Sequence, residues 1–290
     1  MLTLRAPAKV NWYLEVTGKR PDGFHEVETV MQSLDPCDTL HFEDLPQPRL
    51  DLSCNIDLGP VQENLAWRAA ALLQRLHAPG RGARISLEKR IPHGAGLGGG
   101  SSDASNTLVA LNRLWGLGLS PDRLREIAAQ LGSDCPFFVE GGLALCTGRG
   151  EKVLQLAEMA VYNLVILYPG EVCPTREVYA DLAMHGAYGT TSGDLKHEFT
   201  DRLDALSLAN LIHNRLQDSA LRVSSGLRSA WEQTGNVQDV VMRFVSGSGS
   251  SIVFLVRDGA AAKRIVDSVH FSQLGQSFAA RTLAKGTIWG

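Results

Sequence analysis

Residues Ile91 to Ser105 read IPHGAGLGGGSSDAS, with five glycines among the seven positions Gly94 to Gly100 and a helical pattern beginning straight after them. Glycines at this density free backbone N–H groups from side-chain bulk, so that several can point at one ligand. A helix that starts beside them adds its unpaired N–H groups and the positive end of its dipole. The chemistry is anion binding, a phosphate chain is the natural occupant, and Ser101 or Ser102 stands where a helix N-cap is expected. A helix terminus contributes only about 0.3 to 2 kcal/mol to an anion, whereas micromolar binding needs about 8 kcal/mol. A nucleotide would therefore also need a base pocket and Mg²⁺. The plainer reading, a flexible turn of small residues, has to explain an ordering cost of about 0.5 to 1 kcal/mol per glycine.

Two common phosphate sites are tested by spacing. Gly94, Gly96 and Gly99 satisfy G-x-G-x-x-G, but a dinucleotide site expects an acid about 20 residues on. The stretch Asn106 to Ser120 contains none. A P-loop needs Gly-Lys followed by Ser or Thr, and the one Gly-Lys pair, Gly18-Lys19, is followed by Arg20.

The elements that must carry such a site are strands and helices. In APAKVNWYLEV the even positions Ala6, Ala8, Val10, Trp12, Leu14 and Val16 are apolar, the period of a half-buried strand. Lys9 and Asn11 then share the opposite face, about 7 Å apart. Further strands are expected at Glu26 to Leu34, Thr39 to Glu43 and Arg84 to Lys89, with LPQPR as a loop. Helical spacing occupies Gln62 to His77 and Ser101 to Trp115, and a third helix starts at Ser120-Pro121 and stops at Gly132. PFFVEGGLALCTG returns to strand, and strands are expected again at Tyr162 to Leu167, Val240 to Val245 and Ile252 to Val256. HGAYGTTSGDLKHEF reads as a mobile loop. Strands first and helices irregularly after them predict an α+β chain rather than an alternating parallel sheet.

Three stretches together carry a resemblance. APAKVN at Ala6 to Asn11, Pro92-x-x-x-Gly96-Leu97-Gly98-Gly99-Gly100-Ser101-Ser102, and SGSGSS at Ser246 to Ser251 are similar, in that order, to the motifs of the GHMP kinase superfamily of small-molecule kinases. GKRPDGFHEVETVMQ (Gly18 to Gln32) and GSDCPFF (Gly132 to Phe138) resemble the branch that acts on 4-diphosphocytidyl-2-C-methyl-D-erythritol. The resemblance implies ATP-dependent phosphorylation of that substrate's 2-hydroxyl with Mg²⁺, releasing ADP. It also implies a two-domain GHMP kinase fold, residues 1–155 resembling the second domain of ribosomal protein S5 and residues 156–290 ferredoxin-like.

Residue by residue, the resemblance gives Asp134 the place of the catalytic Asp and Lys9 that of the catalytic lysine. ATP-binding positions would be Pro92, His93, Gly94, Ala95, Gly96, Leu97, Gly98, Gly99, Gly100, Ser101 and Ser102, with Asn64 and Leu65 at the adenine. Substrate positions would be Asn11, Phe24, His25, Pro174, Thr175 and Tyr179. Phe24 stands where many members have Tyr, which keeps a stacking ring and removes a hydroxyl, and Ser105 replaces a usual alanine. Each has a plainer reading: Asp134 as a local cap, Lys9 as a solvated strand lysine, His25 as a strand-edge histidine, Tyr179 as a core residue, Asn64 as a helix start and Ser102 as a cap that could also help to position Mg²⁺. No protein ligand to a metal is assigned.

Composition excludes other classes. The 290 residues are 44% hydrophobic and 20% charged, with 28 basic and 31 acidic side chains and a net charge of −3. That is a globular balance without the basic footprint of a nucleic-acid binder. Five cysteines, Cys37, Cys54, Cys135, Cys146 and Cys173, form no C-x-x-C pair and suit a reducing cytoplasm. Neither a leader peptide nor an apolar membrane span is expected, and monomer and homodimer both stay open. The competing functions are a superfamily kinase for mevalonate, homoserine or galactose, a nucleotide-responsive binding protein, and a dehydrogenase.

Overall fold

The computed structural model describes residues 1–199, 203–283 and 288–289. The alternation at the start of the chain makes β1 (Leu2–Lys19), whose even-numbered side chains from Leu4 to Val16 are at most 5% exposed. It pairs antiparallel with β2 (His25–Leu45), one strand where the sequence suggested two. Pro36 is tolerated because the register shifts between Pro7 and Ala8, leaving Asp35 and Pro36 outside the ladder as a bulge.

β3 (Leu50–Cys54), α1 (Leu65–His77), β4 (Gly82–Glu88), α2 (Gly99–Leu114) and α3 (Pro121–Ala128) follow. α3 is capped by the Ser120 side chain, as its Ser-Pro start predicts. β4 lies antiparallel to β2 and parallel to β3. One core joins Leu4, Leu40 and Phe42 of the sheet to Leu73, Leu108 and Leu111 of the helices.

The strand expected from Pro136 is only half present. Cys135–Val139 is a 3₁₀ turn with Pro136 at its start and both phenylalanines buried, and β5 (Leu143–Gly148) begins after Gly141 and Gly142, at φ 64° and 74°. Proline without an N–H suits the first turn of a helix better than a ladder. β6 (Lys152–Gln155) completes this run.

A second, four-stranded sheet begins at β7 (Asn163–Tyr168). After it come α4 (Thr175–His185), α5 (Leu195–Glu198), α6 (Ala205–Leu211), β8 (His213–Asn214), α7 (Gln217–Val223) and α8 (Ser225–Gln233). The hairpin β9 (Val240–Val245) and β10 (Ile252–Val256), α9 (Gly259–Val266), α10 (Val269–Leu274), β11 (Gln276–Arg281) and β12 (Ile288–Trp289) close the chain. The order β11-β7-β10-β9, antiparallel throughout, is the expected ferredoxin-like arrangement. β8 and β12 cross back to flank β1, and an apolar cluster containing Trp12, Ile166 and Phe244 joins the two sheets. The whole is α+β. The Gly- and Thr-rich stretch before α5 is tied to the first sheet: Gly189 N donates to Val16 O at 2.9 Å and Ser192 N to Glu28 Oε2 at 2.8 Å.

Candidate active site

The glycine loop alternates two kinds of residue. Gly94, Gly96 and Gly98 have φ of 69°, 75° and 71°, a region L side chains rarely enter, while Ala95 and Leu97 between them are 1% exposed and anchor the loop in the core. A Cβ on Gly96 would lie 2.6 Å from the carbonyl oxygens of both Ser246 and Gly249, and one on Gly98 would lie 2.9 Å from Lys9 Cγ. Gly98, left-handed and without a side-chain cap, is the residue before α2, so the serine cap expected from the sequence is absent. Ser101 and Ser102 lie inside the first turn, and Ser102 N already donates to Gly98 O at 2.9 Å.

The first and third motifs close on this loop. Lys9 Nζ donates to Gly96 O at 2.8 Å and to Asn11 Oδ1 at 2.5 Å, and Ser246 Oγ donates to the same Gly96 carbonyl at 3.1 Å. Ser251 N donates to Ala95 O at 3.1 Å. Asn11 is oriented from behind, its Nδ2 donating to Thr29 Oγ1 at 2.9 Å while the Thr29 hydroxyl donates to Tyr13 O. Lys9 is 3% exposed rather than solvated. Burial pulls its ammonium below the ordinary lysine range, and the Asp134 carboxylate works against that pull. Asp134 Oδ2 stands 3.8 Å from Lys9 Nζ.

Two cavities meet here. The smaller, about 230 Å³, is lined by Lys9, Gly96, Gly98, Gly247 and Ser248 among others; the larger, about 800 Å³, by Phe24, His25, Arg149, Arg176 and Lys19 among others. Asn11, Leu14, Asp134, Thr175 and Tyr179 line both. In the larger one the His25 ring stacks on Tyr179, centroids 4.7 Å apart at 28°, and the Arg149 guanidinium lies 4.9 Å from the Phe24 centroid. Burial and the nearby Lys19 lower the His25 pKa, and its Nε2 is buried without a hydrogen-bond partner among the described residues. Burial, with Asp134 adding, pushes the Tyr179 hydroxyl up.

The structure thus brings Lys9, Asn11, Asp134, Gly96, Gly98, Phe24, His25, Thr175 and Tyr179 around one cleft, while Gly94, Gly99 and Gly100 do not line it. Pro174 is an exposed residue at the start of α4. Asn64 caps α1 through Ala66 N, and Leu65 Cδ1 would lie 3.6 Å from a Cβ on Gly100, beside the end of the loop. His93 is exposed and Pro92 half-buried. Ser102 is 0% exposed and accepts from Asn106 Nδ2, so its hydroxyl is turned away from the cleft surface. Thr29 is a polar partner of the site that the sequence does not single out, whereas Ser246 belongs to the third motif and meets the glycine loop.

The residues fit a triphosphate: Gly94, Gly96 and Gly98 have no room for a Cβ atom, α2 starts directly after them, and a buried ammonium stands beside the loop. Among the described residues no three His, Cys, Asp or Glu side chains converge to hold a metal. A Mg²⁺ that arrives on the phosphates and keeps most of its waters suits this donor set better than an all-protein cage.

The GHMP kinases N terminal domain model matches residues 64–142. A 4-diphosphocytidyl-2-C-methyl-D-erythritol kinase of Bacillus cytotoxicus is 36% identical over 274 residues, covering 92% of each chain. A protein of the same description from Synechococcus sp. is 39% identical over 285 residues, 93% of this chain and 92% of the relative. A crystal structure of 4-(cytidine 5'-diphospho)-2C-methyl-D-erythritol kinase superposes with a TM-score of 0.77 at 33% identity, covering 97% of this chain and 99% of that one. The fold is that of the GHMP kinases. Within it, the chain belongs to the 4-diphosphocytidyl-2-C-methyl-D-erythritol kinase family.

Proposed function

We propose that this chain transfers the terminal phosphoryl group of ATP to the 2-hydroxyl of 4-diphosphocytidyl-2-C-methyl-D-erythritol, giving the 2-phosphate and ADP in the non-mevalonate isoprenoid pathway. The observation that carries this reading is the meeting of the two cavities at Asp134, with Lys9 Nζ 3.8 Å away. One room has the backbone of an anion cradle and the other has rings, a lone imidazole nitrogen and cations, a combination suited to a cytidine diphosphate.

In this mechanism Asp134 accepts the proton of the attacking hydroxyl, a role worth about 10² to 10⁴ in rate. Lys9 stabilises charge on the group in flight, and the loop N–H groups hold the phosphates in place. Mg²⁺ on the triphosphate would supply further charge neutralisation. Asn11 holds Lys9 and reaches the acceptor side, Tyr179 and Phe24 offer stacking faces, and the His25 edge offers Nε2 to the base. Asn64 and Leu65 flank the adenine end.

The same reading places the catalytic groups and ATP loop in an N-terminal domain, 1–155, against a C-terminal domain, 156–290, in a cytoplasmic enzyme whose partners are small molecules. The five cysteines, all free, support the reducing compartment. No helix among the described residues is long and apolar enough to cross a membrane.

A coupled ADP assay on the purified protein tests the function. ADP release should require both Mg²⁺ and the cytidyl substrate. Turnover of mevalonate, homoserine or galactose with none of the cytidyl compound would reassign the enzyme.

A further inference from the structure

Beneath the glycine loop lies a charged cluster with no part in the chemistry above. Lys89, Asp38 and Asp103 are 7%, 0% and 2% exposed. The Lys89 ammonium pairs with Asp38 Oδ2 and donates to Asp103 Oδ2 at 2.8 Å. Asp38 Oδ1 accepts from Arg90 N at 2.6 Å and Ile91 N at 2.9 Å. Asn55 clasps the Lys89 backbone from the other side, accepting from its N–H at 2.7 Å and donating to its carbonyl at 3.2 Å.

The cluster therefore fixes the chain where it enters the loop, at residues 89–91, and holds α2 at Asp103, just past the first turn of the helix into which the loop runs. The two ends meet over the ammonium: a Cβ on Gly99 would lie 3.1 Å from Lys89 Nζ and 3.1 Å from Ile91 Cγ2. Charge makes the cation necessary. Two carboxylates buried under an anion cradle would repel a triphosphate, and an uncompensated buried charge is strongly unfavourable. Asp38 accepts from three donors, Lys89 Nζ, Arg90 N and Ile91 N. Burial pushes the Asp103 carboxyl up to about 7 against the pull of Lys89, and its Oδ1 has no hydrogen-bond partner among the described residues.

We propose that Lys89 is a positioning residue of the nucleotide site: by holding Asp38 of β2 and Asp103 of α2 on one ammonium, it pins the two ends of the glycine loop together and keeps the cradle in its binding shape. The proposal rests on the reading of that cradle as an ATP site. If release of the pin lowers the share of binding-competent loop to about a tenth, the apparent Kd for ATP rises about tenfold while the opposite end of the cleft is untouched.

The test is isothermal titration of Mg·ATP, and separately of the cytidyl substrate, into wild type and the charge-balanced Lys89→Met/Asp103→Asn variant, with kcat at saturating ATP and a thermal melt. Expected is a rise of about tenfold or more in the Kd for ATP, with the affinity for the cytidyl compound within about twofold and kcat largely kept. Lys89→Arg keeps both ion pairs but puts a bulkier head under Gly99; it should weaken ATP binding with the fold retained, and it serves if the double variant does not fold. Unchanged ATP affinity in a folded variant, or equal losses at both ends of the cleft with a lowered Tm, overturns the proposal. A wild type that binds ATP but does not phosphorylate the cytidyl compound refutes the proposed function and leaves this test intact, because the readout is nucleotide affinity.

Discussion

Lys9 and Asp134 form an ion pair across the cleft, Nζ to Oδ2 at 3.8 Å, in which the lysine side chain is 4% exposed and the aspartate 39%. The asymmetry divides the labour. A cation packed between β1 and the loop cannot wander, and a carboxylate open to the larger cavity can be reached by an alcohol.

Asp134→Ala should lower kcat by about 10² to 10⁴ while leaving the Kd for ATP within a few-fold, since the carboxylate touches the acceptor rather than the cradle. Steady-state kinetics alongside nucleotide titration check this. A variant with near wild-type kcat would remove Asp134 from the role of base.

The pH profile follows from Lys9. Burial, opposed by Asp134, leaves its pKa below 10.5, so the ammonium is lost at a lower pH than an ordinary lysine's. kcat/KM should therefore fall on the alkaline side before pH 10.5 is reached. The sign for stability is the reverse: a depressed lysine pKa means that the unfolded chain holds this proton more tightly, so the cost of burying charged Lys9 is relieved as pH rises through its folded pKa. Denaturant melts of wild type and Lys9→Met across alkaline pH should converge.

Tyr179→Ala should act on one substrate alone. Base stacking on an aromatic ring is worth about 1 to 3 kcal/mol, so KM for the cytidyl compound should rise roughly five- to 150-fold while KM for ATP stays put. Equal effects on both would mean that Tyr179 only supports α4.

Gly98→Ala places a methyl 2.8 Å from the Phe138 ring and 2.9 Å from Lys9 Cγ at a φ of 71°. Strain of about 1 to 3 kcal/mol is expected from the backbone alone, and the displaced Lys9 should take activity with it. Gly116→Ala, also at positive φ but in open space, is the matched control: it should lose stability without a specific loss of kcat.

What was legible in the sequence was local. The period of two in β1 put Lys9 and Asn11 on one face, the glycine run announced a close backbone approach, and Ser120-Pro121 started a helix where one exists. The errors were local rules overridden by packing. The pattern points to Ser101 or Ser102 as the cap of α2, but the left-handed Gly98 precedes that helix without a side-chain cap, and Phe137 and Phe138 read as strand although Pro136 and their own burial wind them into a 3₁₀ turn. The missed residues owe their roles to partners distant in the chain: Thr29 to Asn11 and Lys89 to Asp38. No spacing rule encodes those contacts.

The carbonyl of Gly96 accepts from Lys9 and from Ser246, side chains at opposite ends of the polypeptide. On a translating ribosome the cradle and the Lys9–Asp134 pair emerge long before Ser246. At about 5 to 20 residues per second the interval from Asp134 lasts on the order of 5 to 20 seconds. During it the nascent chain carries both charged groups but lacks the hydroxyl that shares the Gly96 carbonyl with Lys9, so until Ser246 arrives that carbonyl is held by the ammonium without its second donor.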